Sequence, residues 1–147
     1  MRTDYNIFWS NFIKYCDQNN SVFRGKTIPR GAFMSKTINN VRIDLCAYKS
    51  NKCCKSPIRV EVYFSGRRKE YHNKDFDFFF RYKTEIEKDL GFALTWPLEN
   101  PNVKSRKIYY SDTQLKLWES DDLIFEFFDT FGSKILQIFS KYRELYF

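Results

Sequence analysis

Two acidic residues stand where strand chemistry would place a metal. Asp44 and Glu61 each lie in a short run of alternating apolar and polar residues. A metal-dependent nuclease needs an Asp on one strand and Glu-x-Lys on the next, with the lysine supporting the attacking water. Here the second element reads Glu61-Val62-Tyr63, with Tyr where the lysine belongs. The stronger expectation is therefore that Asp44 and Glu61 are outer-face charges paired with Arg42 and Arg59. Other chemistries are thinner still. His72 is the single histidine, and Cys53 and Cys54 are adjacent at no finger spacing, so no metal is expected. The five glycines, at 25, 31, 66, 91 and 132, build no phosphate-cradling loop. Glu85, Glu87 and Asp89 alternate on a helix and are read as its solvated face. No catalytic residue and no cofactor is expected, and the chain is read as a non-enzyme.

Charge is the more informative signal. The chain of 147 residues carries a net +7, unevenly spread. Residues 21–74 hold 13 Lys/Arg against 3 Asp/Glu, whereas residues 75–147 hold 10 against 13. Such a field attracts polyanions or acidic proteins. Aromatics interleave with the cations: Arg42, Arg59 and Tyr63; Arg67, Arg68 and Lys69 with Tyr71; Lys104, Arg106 and Lys107 with Tyr109 and Tyr110. Lys and Arg neutralise phosphates, and a tyrosine face accepts a stacked base. The ten candidate binding residues are Arg42, Arg59, Tyr63, Arg67, Arg68, Lys69, Lys104, Arg106, Lys107 and Tyr109.

The elements that must position them follow from periodicity. Residues 4–18 read as an amphipathic helix, with Phe8, Phe12 and Tyr15 on one stripe. A short strand fits at 32–37. Val41, Ile43, Leu45 and Ala47 alternate in one clear strand, and Ile58, Val60, Val62 and Phe64 in a second. These two suggest an antiparallel hairpin with one face on helices and the other wet or meeting a partner. Residues 74–90 read as one helix whose stripe is Phe76, Phe79, Phe80, Ile86 and Leu90, stopped by Gly91. Residues 92–96 and 104–110 read as strands, the latter at an edge. Asp112 is placed to cap a short helix through Trp118. A long last helix begins at Asp121 or Asp122, with Leu123, Phe127, Phe131 and Phe139 inward, and Gly132 marks a kink or a close approach. The fold class expected is α+β, in the order α-β-β-(β)-α-β-β-α. It is one domain spanning 1–147, with a small antiparallel or mixed sheet and helices mainly on one face. Aromatic residues make up 20% of the chain, enough for a core without metal or disulfide. No apolar run approaches a membrane span, and no signal-peptide stretch opens the sequence, so a cytosolic protein is expected, in its own cell or a host cell.

One string is familiar. Ile86-Glu87-Lys88-Asp89-Leu90-Gly91, then Leu94-Thr95-Trp96, then Lys104-Ser105-Arg106-Lys107-Ile108 resembles the signature of an uncharacterised bacterial domain. The Phe8-Trp9 helix and Trp118 fit it too. In that family the domain often stands C-terminal to a nuclease-like domain. The resemblance implies a setting of DNA defence and mobile elements, and implies no reaction. Two functional expectations stand together. The first is a non-enzymatic protein whose basic surface contacts nucleic acid or a nucleoprotein complex, for example a phage-type inhibitor docked on an RNA-guided nuclease. The alternative is an interaction or immunity module that neutralises an acidic protein.

Overall fold

Alternation at 41–47 and 58–64 builds the centre of a four-stranded antiparallel sheet in the computed structural model, which describes residues 2–48, 58–64, 69–97, 106–112, 115 and 120–146. The strands are β1 (Phe33–Ile38), β2 (Val41–Ala47), β3 (Ile58–Phe64) and β4 (Arg106–Ser111), ordered β1-β2-β3-β4. The helices are α1 (Arg2–Gln18), α2 (Lys69–Arg81), α3 (Lys83–Leu90), α4 (Asp121–Phe127) and α5 (Ser133–Tyr146), with a π-helical turn at Phe128–Gly132 joining the last two. The observed order is α-β-β-β-α-α-β-α, one α+β fold with one sheet. None of the described helices is long and apolar enough to cross a membrane.

Two asparagines fold the first hairpin. Asn39 and Asn40 both take positive φ, 52° and 61°, between the paired ends Ile38 and Val41. That is the two-residue turn whose twist suits adjacent antiparallel strands. Asn20, at φ 51°, likewise ends the helical path of α1.

One face of the sheet is the core face. Met34, Ile43, Leu45, Val60, Val62, Phe64 and Ile108 are buried there, and the helices pack over them. Aromatic rings do most of the filling. Phe8, Trp9 and Phe12 of α1 meet Phe125 and Phe128, the Trp9 and Phe128 rings lying stacked at 6.0 Å. Trp9 also donates its indole N–H to the Gly31 carbonyl at 2.8 Å.

Four expectations need correction. The helix over 74–90 is two helices, because the chain breaks at Tyr82 (φ −101°, ψ 17°). The break buries Phe78 against Tyr82 and leaves Phe80 half exposed, where a single straight stripe put Phe80 inside. Residues 92–96 form no strand, only one bridge between Thr95 and Tyr109. The Leu94 N–H is committed instead to the Glu87 carboxylate at 2.6 Å, which also takes the Trp96 indole N–H at 3.3 Å. Glu87 is thus a clamp and not part of a solvated face. Burial opposes its charge, but those two donors and Lys83 outweigh it and hold its carboxyl below the ordinary range. Leu123, placed inward from periodicity, is 54% exposed. Gly91 does end α3 as expected, at φ 85° with its N–H on the Glu87 carbonyl. Of the short helix expected through Trp118, only a backbone contact from Leu115 N–H to the Asp112 carbonyl lies within the described residues.

Gly132 packs closely and sits in the π turn. A Cβ there would lie 2.9 Å from Leu45 Cδ2 and 3.0 Å from the Phe23 ring. Both neighbours are fully buried, so neither has room to yield. Gly132→Ala should therefore destabilise by about 1–3 kcal/mol, whereas Gly31→Ala, which meets nothing within 4 Å, should be near neutral. Thermal unfolding of the two variants checks this. Equal melting temperatures would contradict the packing.

Candidate functional site

The other face of the sheet carries the chemistry. Register sets it out in rows: Thr37, Arg42, Tyr63 and Lys107 lie side by side, as do Ser35, Asp44, Glu61 and Tyr109, then Phe33, Cys46, Arg59 and Ser111. Asp44 and Glu61 are thus direct cross-strand partners, an arrangement that by itself repels. Both are nevertheless buried, at 4% and 1% exposure. Each carboxylate must then be neutralised locally, because an unpaired buried charge is very costly.

The arginines two residues back do this. Arg42 forks onto Asp44, Nε to Oδ1 at 2.9 Å and Nη2 to Oδ2 at 3.2 Å. Ser35 donates its hydroxyl to the same Oδ1 at 2.7 Å. Arg59 Nη2 lies 2.6 Å from Glu61 Oε2, and Lys107 Nζ lies 3.4 Å from Oε1. The guanidiniums also lie over aromatic rings: Arg42 is 4.2 Å from the Tyr63 centroid and 5.9 Å from that of Phe33. Arg59 is 4.5 Å from the Tyr109 centroid and 5.4 Å from that of Tyr48. Each arginine therefore closes a carboxylate beneath it and stacks on rings beside it, which desolvation strengthens.

The Cys46 thiol is pushed well above its ordinary range by burial and then by Glu61. The Tyr48 hydroxyl moves the same way, by burial first and then through Cys46 and Glu61. On the helix side, burial pushes Cys16 up to about 11. Protonated thiols are inert as nucleophiles. No three His, Cys, Asp or Glu among the described residues are placed to share a metal ion.

Of the ten residues singled out from sequence, five come together here: Arg42, Arg59, Tyr63, Lys107 and Tyr109. Arg106 does not join them. It pairs with Phe64 on the core side, lies 3.3 Å from the Phe76 centroid and donates to the Pro97 carbonyl at 3.0 Å. It is a packing residue there. Tyr110 is on that side too, against Phe92 and Phe131. Arg67, Arg68 and Lys104 lie outside the described residues, as does the side chain of Lys69, and so do Cys53, Cys54 and the side chain of His72. Phe33, Ser35 and Tyr48 were missed. The signal was the phase of β1, since Phe33, Ser35 and Thr37 alternate in step with the polar side of β2.

Residues 5–143 match the family model described as a domain of unknown function, DUF4268. Searches of curated proteins and of solved structures returned no match.

The ion pairs make a stability test. Glu61→Gln takes from Arg59, only 13% exposed, the carboxylate charge it contacts at 2.6 Å. It should cost about 3–5 kcal/mol, and Arg59→Met combined with Glu61→Leu should recover most of that. Urea unfolding reads both. A neutral Glu61→Gln would mean the buried pair does not hold this face.

Proposed function

The chain belongs to the DUF4268 family, and we propose that it is a non-enzymatic binding protein that contacts nucleic acid with the outer face of its sheet. The observation that carries the reading is the pairing of cations with aromatic rings on the face opposite the helices. Phe33 is 45% exposed, and Arg42 and Lys107 keep about a third of their side chains in water. Flat rings and guanidinium planes accept unpaired bases by stacking, and the flanking cations meet phosphates. The partner class favoured is single-stranded nucleic acid, alone or within a nucleoprotein complex. An inhibitor docked on an RNA-guided nuclease is the biological form that best fits the defence setting implied by the resemblance.

The non-enzymatic part rests on the same geometry. A two-carboxylate metal site needs free oxygens, and those of Asp44 and Glu61 are turned to arginine, serine and lysine. The lysine missing from the Glu-x-Lys position has a counterpart across the ladder in Lys107, which pairs in register with Tyr63. It serves there as a counter-ion to Glu61. The basic segment adds the long-range field. Phe64 and Arg106 are register partners, so the chain leaves β3 and enters β4 at the same end of the sheet. The sequence places Arg67 and Arg68 just after that exit and Lys104 just before that entry.

Fluorescence anisotropy with labelled single-stranded RNA and DNA at several salt concentrations tests the proposal. Phe33→Ala should cost roughly 1–3 kcal/mol of affinity with the salt slope kept. Arg67→Glu with Arg68→Glu should instead lower the slope of log K by about 0.7 for each lost phosphate contact. No binding at low salt, paired with retention of an acidic protein by the same surface, would hand the function to the immunity-type alternative.

A further inference from the structure

The two edges of the sheet are finished differently. Outside β4, Thr95 and Tyr109 exchange both backbone hydrogen bonds, at 2.8 Å and 3.1 Å. Outside β1, no strand or bridge is paired among the described residues. The turn of Asn39 and Asn40 fixes which groups of β1 point that way. Its flanking residues, Ile38 and Val41, form a hydrogen-bonded pair, and such pairs alternate along an antiparallel ladder. Lys36 and Met34 therefore bond to β2, and the Ala47 N–H donated to the Ala32 carbonyl at 2.7 Å continues the phase. The N–H and C=O groups of Phe33, Ser35 and Thr37 are left facing outward. Among the described residues, no backbone group meets them there. The strand is also accessible, with Phe33, Thr37 and Ile38 exposed.

Such an edge offers a donor and an acceptor at every second residue. An extended peptide backbone matches that series, whereas phosphates only accept. Charge then selects among peptides. The Lys36 ammonium donates to the Val22 carbonyl, an uncharged acceptor, at 2.5 Å and forms no ion pair among the described residues. Arg24 and Arg30 are exposed in the segment that leads into β1. Between residues 18 and 60 the sequence holds one acidic residue, Asp44, and Arg42 closes it. A second copy is disfavoured, because pairing β1 with itself would bring two sets of these cations to one seam. A lysine on an edge strand is also a common guard against self-pairing.

We infer that β1 is the docking edge for an extended acidic segment of a partner protein, which adds to the sheet as a further strand and sets a carboxylate against Lys36. Main-chain bonds to Phe33, Ser35 and Thr37 supply the register, and the exposed Phe33 and Ile38 side chains supply apolar contact at the two ends of the strand. The inference stands apart from the nucleic-acid reading, because it concerns backbone groups at the rim and not the rings of the outer face.

The probes are fluorescein-labelled peptides of alternating Glu and Val, counterparts with Lys for every Glu, and acidic peptides N-methylated on alternate residues in either phase. The acidic peptide should bind the full chain, and the Lys peptide should not. One N-methylated phase should lose affinity roughly tenfold or more, and the other should keep it. Thr37→Pro removes an outward N–H that the ladder to β2 does not use, so it should weaken binding roughly tenfold with little change in melting temperature. Lys36→Glu should shift the preference towards the Lys peptide. The proposal is overturned if the acidic peptide does not bind, if the Lys peptide binds equally, or if both N-methylated phases bind as well as the parent. The N-methylated peptides decide the matter even where a substitution unfolds the chain. Self-association that Thr37→Pro abolishes would also overturn it, by making a second copy the occupant.

Discussion

Asp44 faces Glu61 across the central pair of strands, and the rest of the sheet's outer face follows from that one juxtaposition. Two carboxylates held side by side and out of water demand cations within reach. Arg42 and Arg59 meet the demand from two residues back on the same strands, and Ser35 and Lys107 complete it from the strands on either side. Guanidiniums fixed in this way lie over the rings of Tyr63 and Tyr109, at 4.2 and 4.5 Å from their centroids. Asp44 and Glu61 are thereby held against arginine, serine and lysine, with aromatic rings beside them.

The core face obeys a different constraint, that of fitting rings. Phe, Tyr and Trp make up a fifth of the chain, and bulky side chains of this kind force the backbone to give way. Gly132 lets the π turn come down onto Leu45 and Phe23. The break at Tyr82 redirects the chain so that Ile86 and Leu90 of α3 are buried as well as the Phe76–Phe79 face of α2. Glu87 then ties α3 to Leu94 and Trp96. The string Ile86-Glu87-x-x-Leu90-Gly91 … Leu94-x-Trp96 is therefore explained residue by residue: apolar anchors, a carboxylate clamp and a left-handed stop.

Much of this was legible beforehand, for a physical reason in each case. Alternation with a period of two placed β2 and β3 within a residue of their true ends, because one face is buried and one is not. The Gly91 stop and the close approach at Gly132 were readable because glycine has few other uses at such positions. Asp44 and Glu61 were expected to pair with Arg42 and Arg59 across strands, and the contacts run instead along each strand. What escaped depended on tertiary packing. Nothing local shows that Glu87 takes the Leu94 N–H, which removes a strand from residues 92–96. Nothing local shows that Arg106 and Lys107, adjacent in sequence, part to opposite faces until the register with Phe64 and Tyr63 is known.

The central claim is that the sheet's outer face is the surface that meets nucleic acid. Amide chemical-shift mapping by NMR during titration with a single-stranded oligonucleotide tests it most directly. The account predicts perturbations concentrated at Phe33, Ser35, Thr37, Arg42, Tyr63 and Tyr109, with the amides of α4 unchanged. Saturable binding whose shifts avoid those strands, or fall on α4, would contradict it.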